Sequence, residues 1–481
     1  MNNMTRTITF ASLLATAGCA VGPDFRRPAA PATQSYVAGE LPARTVATPG
    51  FAGQAQHFAQ GEEVQAQWWR AFGSPALDEL VASALQTNPD LEAAEAALRA
   101  ARESASAQRG AFWPSADLHI RPLREKAAEA DSVPYTLQTA QLTISYMPDV
   151  FGANRRQVEA LAAEVDVQRF QREAVYMTLV SNIVNVAIQE ASLRAQLAST
   201  RDLIDLSTRL LDMTRRQHRA GQVGGADIAA QEAALAQVQA SLPPLEKQLA
   251  EQHNQLSVLA GRLPSEQVTQ RFELTSLSLP MELPVSLPSR LVEQRPDIRA
   301  AEAQLHAASA QIGVATAARL PNLTLTASIG RFGSDFSQLN RSGGGFWSVG
   351  ADLLQPIFRG GALLHQQRAA EAVYDQTAAQ YRGTVLRAFQ NTADTLQAIV
   401  SDAETLRAAN AAEAAAQRSL TMARRQRELG AATQAELILA QQTYQEAVVA
   451  LVQAQASRYT NTVALYQALG GWWQAPDGSS P

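Results

Sequence analysis

The chain has 481 residues, 46% hydrophobic and 18% charged, a balance that supports a large buried core and excludes a disordered polypeptide. A formal net charge of -5 gives no basic footprint, which excludes nucleic acid as the partner. The single cysteine, Cys19, excludes an internal disulfide framework and any cysteine-rich zinc site.

Residues 1-18 read as a lipoprotein signal peptide. Met1 to Arg6 carries one positive charge, Ile8 to Ala15 is a short, mostly apolar run, and Ala17 and Gly18 are the small residues a signal peptidase needs. The run is too short to span a bilayer as a permanent helix. Cleavage before Cys19 would leave a terminus carrying N-palmitoyl and S-diacylglycerol groups on that residue. Thr16 stands where a lipobox has leucine, and Ala20 stands where an aspartate would resemble an inner-membrane retention signal. The plainer alternative is an ordinary cleaved signal with an incidental cysteine.

Residues 19-65 are expected to form a lipid-anchored tether, since Ala29 to Gly61 is rich in Pro, Ala, Thr and Gly and lacks helical periodicity. The rest of the chain is a duplicated unit. Asn88, Pro89, Asp90 and Leu91 match Arg295, Pro296, Asp297 and Ile298, and Trp113-Pro114 matches Leu320-Pro321 at the same offset. The first repeat covers 66-264 and the second 295-470, with an equatorial linker at 265-294 and a tail at 471-481.

After each matched helix come two runs of period-2 alternation. In the first repeat Leu118 and Ile120, then Ala140, Leu142, Ile144 and Tyr146, alternate with Gln141, Thr143 and Ser145. In the second, Leu323, Leu325, Ala327 and Ile329 alternate with Thr324, Thr326 and Ser328, and Trp347, Val349, Ala351 and Leu353 make the fourth run. These predict β-hairpins at about 115-147 and 322-354. Trp113 and Trp347 fall at strand ends, as in an aromatic girdle, while Trp68, Trp69, Trp472 and Trp473 read as core.

Beyond each hairpin lies a long helix-forming stretch. Ala153 to Ala220 contains neither Gly nor Pro, and Ala362 to Leu429 contains only Gly383. Each would reach roughly 100 Å as one helix. Both turn at Gly221 and Gly430, and return helices over 225-260 and 433-469 follow. Pro243-Pro244 should break the first return helix in two.

No uninterrupted run of 18 apolar residues follows Cys19, so a membrane crossing by this chain must be made by strands. Four strands cannot close a barrel, and open edges would leave unpaired backbone groups in lipid. Several copies must therefore contribute to one barrel.

The chain resembles the outer-membrane factors of the TolC and OprM type, in the lipoprotein branch that serves resistance-nodulation-division pumps. The matching residues are Cys19 to Phe25 with Pro28, Trp68-Trp69 with Phe72 and Leu77, Asn88 to Leu91, Leu242 to Leu245, Leu259 to Arg262, Arg295 to Ile298 and Gln355 to Phe358. The resemblance implies an α+β membrane protein, a homotrimer whose twelve strands form one outer-membrane barrel continued by an α-helical coiled-coil periplasmic tunnel with a small mixed equatorial region. It implies a passive efflux channel for drugs or other small molecules. Its partners would be a periplasmic adaptor, an inner-membrane RND transporter and outer-membrane lipid.

Arg216, Gly221 and Asp227 in the first hairpin of helices, and Arg425, Gly430 and Glu436 in the second, match the family's adaptor-contact and gating region. The plainer reading is that the glycines turn the chain and the charges are solvated. Relatives with a defined closed tip place a leucine ring and an aspartate ring one turn apart, and those positions fall here on Ala435 and Leu439. Leu439 from three subunits would then form an apolar constriction near Glu436 or Asp227.

Competing readings are the same channel fold exporting metal ions or other specific cargo, and a periplasmic coiled-coil structural or adaptor protein with no channel. The strand alternation argues against the second. Catalysis has little support, because His57, His119, His218, His253, His306 and His365 are scattered without a metal-binding spacing such as H-E-x-x-H.

Overall fold

The computed structural model describes residues 20-126, 128, 133-340 and 343-471. In chain order the elements are β1 (His57–Gln60), α1 (Pro75–Thr87), α2 (Pro89–Arg109), β2 (Ser115–Glu125), β3 (Tyr135–Tyr146) and α3 (Ala153–Arg219). There follow α4 (Gly225–Ala240), α5 (Leu242–Leu259), β4 (Glu282–Val285), α6 (Pro288–Gln294) and α7 (Pro296–Ala317). The chain then forms β5 (Asn322–Gly333), β6 (Gly345–Leu354), α8 (Ala362–Glu428) and α9 (Gln434–Ala468). It divides into two compact units, one of residues 1-29, 96-170 and 300-383, the other of 30-95, 171-299 and 384-481. Each unit draws on both halves of the duplication.

The first unit holds the strands. They form one antiparallel sheet in the order β2-β3-β5-β6, so the two hairpins are joined through β3 and β5. Residues directly opposite one another share a face. One row reads Leu118, Leu142, Ile329, Trp347, and the adjacent row on the same face reads Ala116, Ile144, Ala327, Val349. The opposite face carries the row Asp117, Thr143, Ser328, Ser348, in which the Ser328 and Ser348 hydroxyls are 2.8 Å apart. The apolar face is solvent-facing in the single chain: Leu118, Ile329, Trp347 and Val349 are all well exposed. Among the described residues β2 and β6 are each paired on one side only, so both edges are open.

α3 and α8 are each 67 residues long, about 100 Å of helix. The absence of Gly and Pro in α3 permits that length, and its start is fixed by Asp149, whose carboxylate accepts the backbone N–H groups of Asn154 and Arg155 at 3.0 and 2.9 Å. Among the described residues no helix is long and apolar enough to cross a membrane. The proline pair breaks the first return path as its chemistry requires. α4 stops at Ala240, and α5 begins at Leu242, which places Pro243 and Pro244 in the first turn, where an amide donor is not needed.

In the second unit Trp68 and Trp69 are buried, and Trp68 stacks on Tyr466 with ring centroids 5.1 Å apart. Trp472 and Trp473 lie outside the described residues. The Pro- and Thr-rich stretch before β1 is packed against this core. Arg458 of α9 is 1% exposed, and its guanidinium donates to the carbonyls of Ala52 and Gln54 and to Gln56 Oε1. β1 pairs in parallel with β4. A stretch with no periodicity of its own is thereby held by one buried cation that needs acceptors.

Candidate docking tip and gate

The candidate residues cluster at two helical turns of the second unit, and the turns are built alike. At the first, the Gly221 amide donates to the His218 carbonyl and the Gln222 amide to the Gln217 carbonyl, both at 2.9 Å. At the second, Gly430 donates to Arg427 at 3.1 Å and Ala431 to Gln426 at 2.8 Å. This pair of bonds is the Schellman ending, which satisfies the last free carbonyls and needs a left-handed residue. Gly221 and Gly430 supply it, and Arg216 and Arg425 are exposed one turn earlier, at the negative end of the helix dipoles.

Asp227 and Glu436 also occupy equivalent places, the third residue of the returning helix. The Asp227 carboxylate accepts the Gly224 amide at 3.1 Å. Glu436 accepts the Thr433 amide at 2.6 Å while its own amide donates to Thr433 Oγ1 at 3.2 Å, a complete capping box. Hydrogen bonding to the carboxylate, from the Thr433 backbone amide and then from its side chain, holds the Glu436 carboxyl below its usual range. Both carboxylates start helices, so part of what marks them in the sequence is local architecture.

A third group was not legible in the sequence. Arg427, nearly buried on α8, lies 3.8 Å from Asp227 at the start of α4, and its Nη1 donates to the Ala432 carbonyl at 3.1 Å. It connects the two turns. Behind them runs a buried amide chain: Gln434 donates to Gln231 at 2.6 Å, Gln231 donates to Gln441 at 3.4 Å, and Gln441 donates to Ser207. The inner face of α9 continues into a packed cluster of Leu437, Ala440, Leu210, Leu420 and Ala423.

The outer face of α9 is different. Ala435 is exposed, and Leu439, one turn on, is 64% exposed. The two sit at helical i, i+4 spacing on the side away from the core. An exposed leucine beside a buried Leu437 is a side chain the single chain does not use. Cys19 lies outside the described residues. Among the described residues no cluster of three or more metal-ligating side chains occurs.

The chain matches the family profile described as outer membrane efflux protein over residues 80-262 and 287-471. It is 32% identical over 420 residues to the pyoverdine export outer membrane protein OpmQ of Pseudomonas aeruginosa, covering 85% of this chain and 88% of that protein. It is 28% identical over 469 residues to the toluene efflux pump outer membrane protein TtgC of Pseudomonas putida, covering 96% and 94%. Its fold superposes on the solved structure of the outer-membrane channel OprN with a TM-score of 0.84 at 27% identity, over 95% of this chain and all of that one.

Proposed function

This chain belongs to the outer membrane efflux protein family, and from that premise we propose that it is the outer-membrane channel subunit of a tripartite efflux pump. Small organic molecules leave through it without chemical change. The observation that carries this reading is the four-stranded sheet with one apolar face, one polar face and two edges left unpaired among the described residues.

Such a sheet is stable in lipid only when its edges are paired by other copies, because unpaired backbone groups in hydrocarbon cost several kcal/mol each. A closed bacterial barrel needs about eight strands or more, and three copies supply twelve. Leu118, Ile329, Trp347 and Val349 then face lipid, while Asp117, Thr143 and Ser328 line a wet lumen. The long helices α3 and α8 extend that lumen through the periplasm. Cys19 carries the lipid anchor, and an adaptor bound to an inner-membrane transporter docks at the turns of Gly221 and Gly430.

Relatives named for pyoverdine and for toluene match this chain in sequence over 85% and 96% of its length, which fits a duct whose walls need not recognise the cargo. The test is single-channel recording of the purified, detergent-extracted protein in planar bilayers, with its mass measured by light scattering. Discrete conductance steps from a particle of three chains are expected. A monomer without conductance would overturn the channel.

A further inference from the structure

The first described residues of the chain are clasped to the first unit. The Val21 amide donates to the Phe151 carbonyl at 3.1 Å. Arg156, buried, donates through Nε to the Val21 carbonyl at 3.1 Å and through Nη2 to Asp24 at 2.7 Å. Phe25 stacks on His306 with centroids 4.4 Å apart, and Arg27 pairs with Glu302 at 3.0 Å. Ala20 itself is so close to Gly152 that a Cβ on that glycine would lie 2.5 Å from the Ala20 Cβ, and Gly152 has a left-handed φ of +80°. The glycine leaves room for the chain to pass at this point.

Phe151, next to Gly152, lines a cavity of about 500 Å³. Its wall is mostly apolar, with Met147, Val150, Leu320, Leu354 and Leu363 around it. Met147 and Val150 follow β3, Leu320 precedes β5 and Leu354 ends β6, so the cavity lies at the helix end of the sheet. Met147 and Leu354 are each about half exposed in the single chain. Phe151, whose carbonyl holds the Val21 amide, thus joins the start of the described chain to the wall of this apolar hollow.

We propose that this hollow is an acyl-chain site, and that it holds one of the fatty acyl chains attached at Cys19. The inference rests on the lipoprotein reading of residues 1-19. Consecutive Cα atoms are only about 3.8 Å apart, so a lipid on Cys19 starts within reach of Phe151 whatever the direction of the preceding bond. The clasp at Val21, Asp24 and Phe25 stops the terminus from swinging away. The lipid then acts as more than a membrane tether: it fills the junction between strands and helices and fixes it.

The experiment feeds expressing cells a palmitate analogue bearing a diazirine, purifies the full chain from outer membranes, irradiates it and maps adducts by peptide mass spectrometry. Label on the Cys19 peptide together with adducts on the peptides of Met147 to Phe151 or Leu320 to Leu323 of the same chain is the expected result. In an Ala318→Trp variant, where an indole is placed on the cavity wall, those adducts should fall at least fivefold while label on Cys19 is retained. Label on Cys19 with adducts only on phospholipid, or on a neighbouring copy, would overturn the site and leave the lipoprotein reading standing. A protein that takes up no label would overturn both.

Discussion

Gly221 and Gly430 sit in the same left-handed backbone region, at φ +71° and +73°, and close equivalent helix ends on opposite halves of the duplication. Nothing lies within 4 Å of a Cβ built on either, so a side chain there meets no neighbour and the whole penalty is conformational. Alanine at either position should cost about 1–2 kcal/mol locally, and asparagine less, because its side chain tolerates that region. Amide exchange at Gln222 and Ala431 should accelerate in the alanine variants and recover toward the parent in the asparagine ones. Equal acceleration by both substitutions would mean that packing, and not backbone conformation, selects glycine.

Leu437 and Leu439 place a buried and an exposed leucine on a single turn of α9. Leu437 is fully buried in the cluster with Leu210 and Leu420, so Leu437→Ala should cost about 2–5 kcal/mol in denaturant unfolding. Leu439 is exposed and should cost little when replaced. If three copies of Leu439 narrow the tunnel, Leu439→Ser raises the single-channel conductance by a factor of two or more. A conductance unchanged from the parent would remove Leu439 from the gate.

The capping box at the start of α9 makes the tip sensitive to acid. Hydrogen bonds from Thr433 lower the Glu436 carboxyl below its unfolded value, so its contribution is present above the unfolded value and is lost as pH falls through the folded one. The first turn of α9 should loosen below about pH 4.5, the ordinary value for this group. Glu436→Gln can still accept the Thr433 amide but does not titrate, so it should flatten that pH dependence. Exchange at the Thr433 and Glu436 amides, followed from pH 7 to pH 3, reads the difference.

The parts of this fold that were legible in the sequence are those written in local periods. Alternation at Leu142, Ile144 and Tyr146 predicts a strand, and β3 runs through them. A glycine- and proline-free stretch predicts one continuous helix, and α3 is that helix. The turn glycines were legible because left-handed backbone leaves a residue-type signal. Arg427 was not, because its partner Asp227 is 200 residues away in the chain and arginine recurs in the last turns of α2, α3 and α8 alike. The Gln231, Gln434 and Gln441 chain was hidden for the same reason: glutamine on a helix reads as solvated until the fold buries it. The stretch before β1 reads as a loose tether, since the cation that fixes it, Arg458, lies some 400 residues further along.

Arg458 offers the sharpest test of how that stretch is held. Burial lowers its pKa, and burial also raises that of Asp402, which accepts the Asn461 amide at 2.6 Å. Arg458→Met removes the donors to Ala52, Gln54 and Gln56 and leaves those acceptors buried without partners, a loss of about 3–5 kcal/mol by analogy with broken buried ion pairs. Arg458→Lys should not rescue it, since one ammonium cannot reproduce the planar fork that reaches both backbone carbonyls and the Gln56 amide. Asp402→Asn should act in the opposite direction. A carboxyl whose folded pKa is raised contributes most below its unfolded value and loses that contribution as pH rises, so the neutral amide should raise stability at pH 7, by less than about 1 kcal/mol after solvent screening. Limited proteolysis separates these effects from global unfolding. Cleavage between Phe51 and Gln56 should appear first in Arg458→Met while the long helices stay intact, and a variant that resists cleavage there would show that the stretch is held by β1 pairing with β4 and not by the buried guanidinium.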